Sequence, residues 1–114
     1  MEVKVMKYQE FYSLYLSAAD SRDFESFVAE EGLPPCFAEY PDERILPIFK
    51  AIWELRDNPI RGIKKVCNLT NQYLSSKYGI PIKTVEAWLA GTRVSPEYVS
   101  ILLTYCVLMD EEII

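Results

Sequence analysis

The stretch from Leu69 to Pro96, LTNQYLSSKYGIPIKTVEAWLAGTRVSP, limits the fold more than any other part of the chain. Two glycines and two prolines cut it into short pieces. Thr70 can cap a first helix, on which Leu74 and Tyr78 lie one turn apart on a face to be buried. Gly79 supplies the positive-φ position that ends a helix cheaply. Pro81 suits the start of the next helix, where its missing N–H has no partner to lose and its φ is already set. There Val85, Trp88 and Leu89 recur at helical spacing and turn toward one core, leaving Ile82, Lys83, Glu86 and Ala87 on other faces. Gly91 closes this helix, and Ser95 before Pro96 is a cap-then-proline start for another. The spacing predicts two short helices across a tight turn, then a loop and a third.

This is helix-turn-helix grammar. From about Pro59 to Met109 the chain resembles the Cro/C1-type (XRE-like) helix-turn-helix transcriptional regulators. The matching residues are Leu69 with Thr70, Leu74 with Ser75, Gly79 with Ile80, Thr84 before Val85, then Trp88, Gly91, Arg93 and Pro96. Three positions depart from the pattern. Asn71 stands where the family has a phosphate-touching Gln, Leu89 where a Glu follows the Trp, and Pro96 comes one step late.

The resemblance implies a recognition helix over about residues 81–90, set in the major groove of double-stranded DNA. By that mapping Ile82, Lys83 and Ala87 reach base edges, and of these only Lys83 can donate a hydrogen bond. Lys83 and Thr84 stand at the front of the helix, Arg93 in the following loop meets phosphate, and Lys64, Lys65 and Lys77 flank the DNA backbone. Asn71 and Tyr73 on the preceding helix are the remaining contact candidates, Tyr73 through its hydroxyl or else half buried. Trp88 is expected to face the core. One motif offers few base contacts, so the resemblance implies a homodimer on a two-fold site with half-sites about one DNA turn apart.

Charge distribution agrees with that placement better than total charge does. The 114 residues carry a formal charge of -5, against a protein coated with basic groups. Yet residues 1–58 sum to -6, residues 59–96 to +5 and residues 97–114 to -4. All the cations of the second half, Arg61, Lys64, Lys65, Lys77, Lys83 and Arg93, lie in the motif and the helix before it. Such asymmetry is the footprint a DNA-binding face leaves, although solvated helix faces leave it too.

Ahead of the motif, Met1–Lys7 reads as irregular. Phe11, Leu14, Tyr15 and Ala18 mark an amphipathic helix from about Tyr8 to Ala18. Ser21 can cap a second helix carrying Phe24, Phe27 and Val28, which Gly32, Pro34 and Pro35 end. After a proline-bounded connector, Asp42 opens a third helix to about Arg56 with the stripe Ile45, Ile48, Phe49, Ile52 and Trp53; Pro47 is tolerable in or near its first turn. Asn58 and Pro59 start a fourth, with Ile60, Ile63 and Cys67 inward, and the helix after Pro96 is expected to bury Val99, Leu102, Leu103 and Cys106. The family commonly has one more helix after this one; the Asp42–Arg56 helix is expected to take its packing role. The fold expected is all-α, a compact domain of about five to six helices, with residues 1–58 as a helical extension packed on a helix-turn-helix domain of residues 59–114.

Eight aromatic residues fall within the first 40, most of them expected in the core, although Tyr8, Tyr12 and Tyr15 cover more than one helix face. Glu30, Glu31, Glu39, Asp42 and Glu43 gather around the connector, as a solvated loop or as an acidic patch for a basic protein partner. Cys36, Cys67 and Cys106 are odd in number, never paired as C-x-x-C and unaccompanied by any His, so the chain is expected to hold buried reduced thiols and no metal. No residue pattern for catalysis or a cofactor is present, and the expectation is no enzyme. The start has no apolar signal core and the apolar run Tyr98–Met109 is too short to span a bilayer, so a cytoplasmic protein is expected. Beside a DNA-binding regulator of a bacterium, phage or mobile element stands the alternative of a protein-interaction module on the same scaffold: an antirepressor, an anti-defence factor or an antitoxin.

Overall fold

Seven α-helices account for most of residues 6–114, which the computed structural model describes. They are α1 (Tyr8–Asp20), α2 (Phe24–Glu31), α3 (Asp42–Trp53), α4 (Pro59–Cys67), α5 (Asn71–Tyr78), α6 (Ile82–Ala90) and α7 (Glu97–Asp110), with one 3₁₀ turn at Pro35–Phe37. The protein is all-α, with one helix more than the upper expected number. Most of the irregular lead-in expected at Met1–Lys7 lies outside the described residues. At its end, the Met6 N–H donates to the Tyr40 hydroxyl at 3.0 Å and the Tyr105 hydroxyl donates to the Met6 carbonyl, burying the methionine.

Local chemistry sets most helix ends. The Asp23 carboxylate accepts from Ser26 N–H and caps α2, a role expected of Ser21, which instead ends α1. That hydrogen bond holds the Asp23 carboxyl below its usual range. Asn58 caps α4 by accepting from Arg61 N–H, and Thr70 caps α5 by accepting from Tyr73 N–H. Left-handed residues close α4 through α7: Asn68, Gly79, Gly91 and, just past α7, Glu112. In each case the next N–H returns to a carbonyl five residues back. α3 ends at Trp53, three residues short of expectation, as the chain turns through Glu54–Arg56 into the α4 cap. Pro47 sits in the second turn of α3, not the first, and is exposed, so the Glu43 carbonyl it leaves without a helical donor faces water.

The core runs unbroken from the first half to the second. Phe27, Phe37, Phe49 and the half-buried Trp53 form an aromatic cluster, with Phe37 and Phe49 centroids 4.9 Å apart and Phe27 edge-on to Phe49 at 5.3 Å. Ile52, Leu55, Ile63, Leu74, Val85, Ile101 and Leu108 continue the same buried cluster beneath the motif. α3 packs on α1, α2 and α4, and the Arg44 guanidinium on α3 holds the carbonyls of Glu112 and Ile113 at 3.0 and 3.1 Å.

On α7 the buried face is Ser100, Ile101, Thr104, Val107 and Leu108, not Val99, Leu102, Leu103 and Cys106 as expected. The helix is apolar nearly all round, so its own pattern cannot choose a phase. Ser100 is buried because it pairs with the Ser95 hydroxyl, and Thr104 because its hydroxyl donates to the Ile101 carbonyl at 2.9 Å. Cys106 is therefore exposed, while Cys36 and Cys67 are half buried, and burial raises the Cys67 thiol to about 11. Among the described residues, no helix is long and apolar enough to cross a membrane, and no cluster of His, Cys, Asp or Glu could hold a metal.

Candidate nucleic-acid interface

The turn between α5 and α6 is tied by one side chain. Ser75 gives its carbonyl to Ile80 N–H at 3.1 Å, and its hydroxyl donates to the Ile80 carbonyl at 2.6 Å. With Gly79 at φ 67, this closes α5 and aims the chain at α6 within three residues. Leu74 and Val85 lock the inner faces of the two helices into the core.

α6 is open at one end and fastened at the other. Pro81 precedes it without a side-chain cap; the Thr84 and Val85 N–H groups return to the Pro81 carbonyl, and those of Ile82 and Lys83 are left for solvent or an anion. At the far end, Asn58 Nδ2 donates to the Trp88 carbonyl at 3.2 Å and Arg61 to the Leu89 carbonyl at 2.6 Å. The first turn of α4 thus serves the last carbonyls of α6, which a helix cannot satisfy itself. These two residues fix how α6 sits on the protein. Arg61, expected as part of a basic surface, is a fastener for that helix.

The outward face of α6 presents Lys83 and Glu86, both exposed, with Ala90 beyond them. Ile82, Thr84 and Ala87 are half buried along its flanks. Glu86 was not among the expected contact residues; its place one turn after Lys83 was the available signal. Trp88, expected in the core, is half buried instead. It lines an open cavity of about 290 Å³ with Tyr15, Asn58, Ile60, Arg93 and Ser100, because Val85 takes the innermost position. Arg93 is exposed in the loop after α6.

Of the remaining cation candidates, Lys65 and Lys77 are engaged by carboxylates. Lys65 Nζ pairs with Glu54 Oε2 at 3.3 Å and lies along the α3–α4 groove. Lys64 is half buried. Lys77 Nζ donates to the Tyr73 hydroxyl at 3.0 Å and faces Glu111 at 3.7 Å and Asp110 at 4.0 Å. The Tyr73 hydroxyl in turn donates to Glu111 at 2.9 Å, and the Tyr78 hydroxyl to Asp110 at 2.7 Å. This clamp joins the outer face of α5 to the end of α7. It raises the Lys77 ammonium above its ordinary value, chiefly through the Tyr73 hydrogen bond. Burial, then the Asp110 hydrogen bond, raise the Tyr78 phenol. Asn71 turns its Oδ1 into the protein, where it is enclosed without a donor.

The acidic residues Glu30, Glu39, Asp42 and Glu43 are exposed, form no ion pair among the described residues and belong to a different part of the chain from α6. Comparison of the sequence and fold with models of known families, with curated proteins and with solved structures finds no match.

Proposed function

We propose that the chain is a sequence-reading DNA-binding transcriptional regulator of the kind carried by bacteria, phages and mobile elements, with α6 laid in the major groove. The observation that carries this reading is α6 itself: fastened at its C-terminal end by Asn58 and Arg61, uncapped at its N-terminal end, and presenting Lys83 and Glu86 outward. Lys83 suits the O6 and N7 acceptors of a guanine, and Glu86 suits the amino group of a cytosine. Arg93 follows as a phosphate contact, and the open N–H groups of α6 favour an anion at the same end. One such face reads only a few base pairs, so two copies on a two-fold site belong to the reading.

Fluorescence anisotropy with the DNA upstream of the protein's own gene, and with a random duplex, tests it. Lys83→Ala should cost about 1–3 kcal/mol on the upstream DNA and narrow the gap between the two duplexes. Arg93→Ala should weaken both about equally. Binding unchanged in both variants would remove the assignment. The rival reading, a protein-interaction module, draws on one observation: Lys77 and Tyr73, phosphate contacts in the first reading, are engaged by Glu111 and Asp110. Absence of binding to either duplex at low salt would favour it.

A further inference from the structure

The cavity of about 290 Å³ beside Trp88 is bounded by parts of the chain far apart in sequence: Tyr15 of α1, Asp57 before α4, Trp88 near the end of α6, Arg93 in the loop, and Glu97 and Ser100 of α7. Its polar groups are not spent on one another. Tyr15 is 7% exposed, yet its hydroxyl has no hydrogen-bond partner among the described residues, where a phenol so far inside a protein ordinarily finds one. The hydroxyl is not sealed in, and the space open to it is the cavity. Ser100, 6% exposed, shares a single hydrogen bond with Ser95, so the two hydroxyls leave one O–H over. Asp57, Arg93 and Glu97 are exposed on the rim, and none of them forms an ion pair among the described residues. Burial, then the Glu97 charge, raise the Tyr15 phenol, so the rim is felt at the floor.

We propose that this cavity binds a small organic cation: a protonated amine on an aromatic or branched apolar body, its ammonium toward Asp57 and Glu97 and its body against Trp88 and Ile60. Size follows from the volume. At ~30 Å³ for each water-sized atom, the 290 Å³ hold a molecule of roughly ten non-hydrogen atoms. Sign follows from the lining. Two carboxylates stand against one guanidinium, and the formal charge of -5 on the chain draws cations to its surface. The hydroxyl oxygens of Tyr15 and Ser100 can accept from an ammonium, and an aromatic ring attracts a cation at its face but not an anion. Arg93, on an exposed loop, can turn its long side chain to water and leave the carboxylates to the ligand. Pro59, Ile60 and Val94 make the rest of the lining apolar, which suits a hydrocarbon body and not a bare metal ion seeking a shell of oxygens. Sites of this kind form where separate elements meet. This one adjoins the joint that seats α6, through Asn58 and Trp88, but the site itself requires no DNA contact.

Titration of the full chain with phenethylamine, 2-phenylethanol and 3-phenylpropanoate, probes of similar shape that differ in charge, tests it. The chain has two tryptophans. In proton–nitrogen correlation spectra near neutral pH, phenethylamine should move the indole N–H signal of Trp88 and leave that of Trp53, which belongs to the aromatic cluster. Its Kd should be on the order of a millimolar, as for other ligands so small. 2-Phenylethanol should bind about fivefold more weakly, and 3-phenylpropanoate more weakly still. Asp57→Asn combined with Glu97→Gln, both at exposed positions, should keep the helical circular dichroism signal and weaken phenethylamine about fivefold or more. Tyr15→Phe keeps the ring and should weaken it about threefold. Glu86→Gln, on the outward face of α6, should change nothing. A Trp88 signal unmoved at ~10 mM phenethylamine, equal binding of the alcohol, preference for the carboxylate, or indifference to the paired carboxylate substitutions each overturns the proposal. None of these readouts involves DNA. A chain that takes phenethylamine as described but binds no duplex keeps this site and loses the DNA reading; a silent cavity in a chain that binds its upstream DNA does the reverse.

Discussion

Gly62 shows how much one side chain's absence can decide. It lies inside α4, where an alanine is ordinarily worth about 1 kcal/mol more than glycine. A Cβ there, however, would run into the Glu54 carbonyl and stand 3.0 Å from Leu55 Cα, because the turn from α3 into α4 passes directly over it. Overlap with backbone cannot be relieved by a rotamer change. Gly62→Ala should therefore destabilise the protein, by about 1–3 kcal/mol as for other overpacked sites, read as a lower urea midpoint. A higher midpoint would mean that the corner can open to admit a methyl group. Gly62 carries no signal in the sequence, since a lone glycine within a helical pattern looks the same whether or not another backbone crosses it. Asn58 was legible as a cap, but its second bond, to the Trp88 carbonyl 30 residues away, was not, because long-range polar contacts leave no local pattern. The same holds for Arg61, whose bond to the Leu89 carbonyl spans 28 residues.

Among the elements, those with a clear apolar stripe or strong punctuation were readable: α1 from its four inward residues, α3 from its long stripe, and α5 and α6 from Thr70, Gly79 and Gly91. α7 was readable as a helix but not in its phase, since nearly every side was apolar and its buried Ser100 and Thr104 looked like surface residues. The clamp at its end carries a consequence for α5. Glu111 accepts from Tyr73 and faces Lys77, so two groups suited to a phosphate are turned toward a carboxylate. Glu111→Gln keeps the side chain's shape and removes the charge. Lys77, then facing only the more distant Asp110 carboxylate, should strengthen binding to a random duplex several-fold at low salt, an effect that fades as salt rises. Thermal stability should scarcely move, because exposed ion pairs contribute little. Unchanged DNA affinity in this variant would place α5 away from the phosphate backbone.

For the whole molecule, the count of cations in the sequence overstates the charge available to a partner. Of the six in residues 59–96, Arg61 serves α6, Lys65 pairs with Glu54 and Lys77 sits between Asp110 and Glu111. Lys64, Lys83 and Arg93 form no ion pair among the described residues. Counterion release converts that distinction into a number. At ~0.9 per neutralised phosphate, three cations on each of two copies give a slope of log K against log salt near -5, whereas all six would give about -11. The net negative charge of the rest of the chain works in the same direction, since it repels DNA that approaches by any other face. A slope near -5 for the wild type, steepening by up to about 2 in Glu111→Gln as one lysine per copy turns to phosphate, would tie the DNA contact to this short list of residues. A wild-type slope near -11 would mean that DNA displaces the carboxylates of Glu54, Asp110 and Glu111 on binding. In that case Glu111→Gln would leave the slope where it was, because Lys77 would already be counted, and the clamp would be a contact the protein exchanges for phosphate.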